Sequence, residues 1–80
     1  MIRDHLKLGG LYVTNGGLIL KAVYAPTQDA RYWVTAQMWM DLGGDLHEKI
    51  AGYHHYADGA HVHDMPGLRI ISEYVPANSD

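Results

Sequence analysis

Along residues 30–42, ARYWVTAQMWMDL, apolar and polar positions alternate. In an extended chain Tyr32, Val34, Ala36, Met38, Met40 and Leu42 fall on one side, and Arg31, Trp33, Thr35, Gln37, Trp39 and Asp41 on the other. The pattern predicts a strand whose inner face is rich in methionine. Glycine-bearing breaks cut the rest into short apolar runs: Gly9-Gly10, Asn15-Gly16-Gly17, Gly43-Gly44, Asp58-Gly59 and Pro66-Gly67. Asn-Gly and Asp-Gly favour two-residue type I′ turns, which need positive φ at both central residues. LYVT and GLILKAVYA therefore flank one expected hairpin, and GYHHYA and AHVHDM flank another. LRIISEYV, between Pro66-Gly67 and Pro76, has strand composition.

Residues 45–53, DLHEKIAGY, fit two patterns. As a helix, Asp45 caps, Glu48 completes a capping box, and Leu46, Ile50 and Tyr53 share a face. As a strand, the segment folds back on the preceding one across Gly43-Gly44. The capping pattern tips the expectation towards a short helix near Asp45–Tyr53. The whole then reads as a mainly β chain (α+β if that helix forms), with residues 1–75 as one antiparallel domain. A single small sheet or barrel built from hairpins is expected, with residues 76–80 as a polar tail.

Eighty residues make one domain with a small core, and no cysteine is present to staple it or to bind zinc as thiolate. Apolar residues make up 48% and charged ones 19%, as in ordinary globular proteins. Phe is absent, and six Tyr and two Trp supply the aromatic bulk, each ring with a polar group that needs a partner. A core of this size contributes few kcal/mol, so self-association or a larger protein partner is expected to supplement it. Net charge is −3, and the six Lys and Arg are scattered, which argues against direct nucleic-acid binding. Nine acidic residues offset by those bases do not make a dense anionic face either. No apolar run is long enough to span a bilayer, and MIRDHLKLGG lacks the apolar centre of a signal peptide. A cytoplasmic chain without membrane contact is expected.

Four of the six histidines lie in GYHHYADGAHVHD. With Asp58-Gly59 as a two-residue loop, Tyr56 faces His61, His55 faces Val62 and His54 faces His63. His54, Tyr56, His61 and His63 would then share a face, with His55 opposite. Three imidazoles within reach of one ion suit zinc, so His54, His61 and His63 are candidate ligands. No carboxylate is placed to orient those rings, so the expected state holds no cofactor, with zinc as the alternative. A one-residue change of register would reassign every face.

Other chemistry finds few candidates. Ser72 and Ser79 are the only serines, there is no thiol, and neither phosphate-binding glycine motif is present. His47-Glu48 lacks the second histidine that a zinc-protease helix requires. The aromatic residues carry more information. Trp33 and Trp39 are expected on the side of the central strand away from its methionines, and Tyr12 and Ile19 on the second face of the first hairpin. With Tyr56, these five are the expected protein interface, since Trp, Tyr and Met concentrate at interface centres. The leading expectation is a non-catalytic protein-binding module, acting as an inhibitor or accessory subunit on a larger assembly. Antagonists of host complexes carried by phage and mobile elements have this size and type. A histidine-based metal protein and a small oligomeric enzyme with a shared site are the alternatives.

Overall fold

The computed structural model describes residues 6–27 and 30–75, and all but the side chains of residues 50 and 51 within them. Among the described residues five strands form: β1 Leu11–Thr14, β2 Ile19–Tyr24, β3 Tyr32–Met40, β4 Leu46–Tyr56 and β5 Ile70–Glu73. They make one antiparallel sheet in the order β4-β3-β2-β1-β5, with no helix among the described residues. The sheet is open rather than a barrel. Its two edges are drawn together by the segment after β4, where Ile70 N–H donates to Gly59 O at 2.9 Å and Asn15 N–H to Arg69 O at 2.8 Å.

The segment expected as a helix, Asp45–Tyr53, is strand. The reason lies in the turn before it. One carboxylate oxygen of Asp41 accepts the N–H groups of Gly43 and Asp45, each at 2.9 Å. Gly44 takes φ 88° and donates to Asp41 O. The chain therefore reverses tightly, and residues from Leu46 onward meet β3 in register, Met40 opposite Leu46 and Trp39 opposite His47. A helix of two turns is marginal alone, and the ladder outcompetes it.

Both expected turns are present, but each loop holds three residues. Thr14 N–H donates to Leu18 O and Gly17 N–H to Thr14 O, enclosing Asn15-Gly16-Gly17. Likewise Tyr56 N–H donates to Ala60 O and Gly59 N–H to Tyr56 O, enclosing Ala57-Asp58-Gly59. Positive φ falls on the last loop residue only, 85° at Gly17 and 98° at Gly59. That is a type I turn closed by a left-handed glycine, the usual three-residue hairpin. Gly16 serves a different need: a Cβ there would stand 2.7 Å from Gly67 O, so two loops meet backbone to backbone.

The alternation in β3 is real, but its faces are largely reversed, although Ala36 on the expected inner side is fully covered. Trp33 is 1% exposed and Thr35 is fully covered, whereas Tyr32 and Met40 are about half exposed and Val34 and Met38 half-buried. Period alone cannot say which side is inside; volume and polar satisfaction decide it. The Trp33 indole N–H donates to Ala30 O at 2.9 Å, so the largest ring can be buried without loss. Leu6, Tyr12, Leu20, Ala22 and Ile70 complete the core around it. Bulges at Val23, Lys49, Gly52 and Ile71, each skipped by the opposite strand, coil the sheet around that core.

Candidate functional site

The three-residue loop after β4 sets the register of the histidines. His55 pairs with His61, and Val62 N–H donates to His54 O at 3.2 Å. The histidines are thus one residue out of the register that a two-residue loop imposes. His55 and His61 point into the molecule, and His54 is exposed on the opposite face. The expected convergence of His54, His61 and His63 does not occur, and Tyr56 no longer accompanies His61. The rings that meet are His55 with His61, centroids 5.2 Å apart and edge-on, and His61 with His63 at 5.9 Å.

Both His55 nitrogens and one nitrogen of His61 are committed to the protein. His55 Nε2–H donates to Leu68 O at 2.6 Å, which fixes the tautomer. Its Nδ1 lies 2.9 Å from Thr35 Oγ1 and accepts that hydroxyl's proton. Burial holds the His55 pKa below the ordinary imidazole value, partly offset by the Leu68 carbonyl, with neighbouring His61 and His54 lowering it further. His61 Nδ1 accepts the N–H of His63 at 3.2 Å and, more distantly, of Met65. Its pKa is also lowered, by burial first and then by His63 and His54, against a smaller opposing effect of Asp64. Asp64, whose N–H donates to His61 O at 3.0 Å, adopts φ 52°. Among the described residues no three His, Asp or Glu side chains are disposed to hold a metal ion. These histidines fasten the loop of residues 60–68 to the sheet.

The expected interface residues divide. Trp33 and Tyr12 are spent on the core, 1% and 4% exposed, and the Tyr12 hydroxyl accepts Lys7 N–H at 2.8 Å. Ile19 and Tyr56 are half-buried. Trp39 is 48% exposed where the inner side of β3 runs past the core, stacked on His47 at 4.8 Å. His47 in turn donates to Asp41 at 2.7 Å, and that bond, aided by the Asp45 and Gly43 amides, lowers the Asp41 pKa.

The other side of the sheet is apolar. Val13, Ile19 and Met38 lie abreast across β1, β2 and β3, with Leu11, Val34 and Met40 on the same side. Among the described residues no second layer of strands or helices lies on this face, although Ala36 at its centre is fully covered and Val13, Ile19 and Met38 are only partly exposed. At one corner Tyr24, Val34 and His54 stand in a row across β2, β3 and β4. Beside them the opposed rings of Tyr32 and Tyr56 lie 5.4 Å apart. The Arg31 guanidinium sits over both, 5.4 Å and 5.7 Å from their centroids. A groove of about 330 Å³ runs along this corner between Tyr24, Pro26, Thr27, Arg31, Tyr32 and His54. Sequence reasoning passed over Arg31, Tyr24 and Tyr32, although aromatic residues at both ends of the β2–β3 connection were a usable signal. No protein-family model, curated sequence or solved structure matches this chain, so the site itself carries the functional argument.

Proposed function

We propose that this chain is a small, non-catalytic, cytoplasmic binding module that acts by occupying a surface on a larger protein assembly. The observation that carries this reading is the apolar side of the sheet, partly exposed at Val13, Ile19 and Met38 and open at Tyr24 and Tyr32. A sheet normally buries each apolar face against another layer, and a partner protein can supply that layer. Tyr and Met suit the role, giving large contact area with few immobilised torsions or with adaptable shape. An antagonist of a host complex, encoded by a phage or mobile element, is the specific form of this reading. The inward histidines favour this reading over metal chemistry, since both His55 nitrogens and His61 Nδ1 already bond protein groups.

Capture of protein partners by the wild-type chain and by Met38→Asp tests the reading. Met38 is half-buried on the outer side, so its replacement should leave cooperative melting while removing a stoichiometric protein partner. Identical capture by both chains would sink the proposal.

A further inference from the structure

The Arg31 corner combines features that an apolar contact surface alone does not require. The guanidinium lies over two tyrosine faces, which restrains it and leaves the N–H groups at its edge available to an acceptor. Its own backbone is pinned, because Arg31 O accepts Ala57 N–H at 3.1 Å. Among the described residues Arg31 forms no ion pair. The exposed His54 imidazole on the neighbouring strand also lines the groove, and no acidic side chain is among its described lining residues. Arg31 is thus the one formally charged side chain among the groove's described lining residues.

We infer that the corner binds an extended acidic peptide segment of a partner protein. A carboxylate of that segment meets the edge of Arg31, and an adjacent apolar side chain lies in the groove between Tyr24 and Tyr32. This inference rests on the binding-module reading and names the chemistry of its partner. The charge pattern selects the occupant. Arg presents paired donors that match a carboxylate, so the corner fixes the orientation of an acidic segment. One Arg and one His are too sparse to follow a nucleic-acid backbone. The groove, at about 330 Å³, lies at the small end of ligand sites and suits one or two side chains rather than a cofactor.

The test is a titration of the ¹⁵N-labelled chain with acetyl-Leu-Glu-Leu-Glu-amide and, separately, with its Gln-for-Glu counterpart. The Glu peptide should move the amides of residues 30–34 and 54–57, with affinity about tenfold above that of the Gln peptide. Arg31→Gln should abolish the difference between the peptides, and Arg31→Lys should restore only part of it, because an ammonium lacks the planar fork. Arg31 is exposed, so both variants should keep the wild-type spectrum elsewhere. Equal responses to the two peptides, no response to either, or the same amides moved by inorganic phosphate alone would each overturn the inference. If it fails while Met38→Asp still abolishes partner capture, the binding-module reading stands and only its acidic chemistry is wrong.

Discussion

His55 shows how one polar side chain can organise a small core. It is fully covered, joins β4 to the 60–68 loop through Leu68 O, and reaches β3 through Thr35. Truncating it leaves that carbonyl and hydroxyl without their partner and opens a cavity. His55→Ala should therefore lose about 2–4 kcal/mol in urea unfolding. The pH dependence follows from the same geometry. The folded-state pKa values of His55 and His61 are lowered, so on acidification the unfolded chain takes up protons first. Their contribution to stability is complete above the unfolded imidazole pKa, about 6.5, and is lost as pH falls below it. The urea midpoint should hold level from about pH 8 to 7 and decline from about 6.5 downward. His55→Ala should show a shallower decline, and a midpoint that rises on acidification would contradict the assignment.

At the scale of elements, β3 carries both tryptophans to different ends. Trp33→Ala should cost about 3–5 kcal/mol in chemical denaturation, because its ring fills the core. Trp39→Ala should cost about 1 kcal/mol or less, since half of its surface stays in water. Comparable losses would mean that the core extends along the whole inner side. The same strand marks what the sequence could disclose. Its extent and the positions of both turns were legible, because period and glycine chemistry are local. The inward direction of Trp33 was not, because it depends on Ala30 O accepting the indole N–H and on what packs from other strands. The histidine face turned on a single residue: Asp58-Gly59 suits a two-residue loop and a three-residue loop alike. Tertiary bonds such as Ile70 N–H to Gly59 O exist only in the longer form observed here. The helix expected from Asp45 failed for a similar reason, since Asp41 claims the Asp45 amide from outside the segment.

At the scale of the whole molecule, neighbouring strands β1 to β4 pair through short connections, whereas β5 returns to β1 from the far end of the chain, Tyr12 opposite Glu73. That one long-range closure seats Leu68 and Ile70, 7% and 2% exposed, and also supplies the acceptor for His55. The consequence is an order of events in time. Loop closure costs more entropy for distant pairs, so the local hairpins should assemble first and β5 should dock after the rate-limiting barrier. Ile70→Val, worth about 1 kcal/mol, should then accelerate unfolding and leave the refolding rate nearly unchanged. Slower refolding by the full amount would place β5 in the nucleus instead. During synthesis the ribosome releases β5 after the other four strands, and until it docks β1 presents an unpaired edge and Trp33 an unfinished core. For a chain of this kind, the hazardous interval is the wait for its last strand.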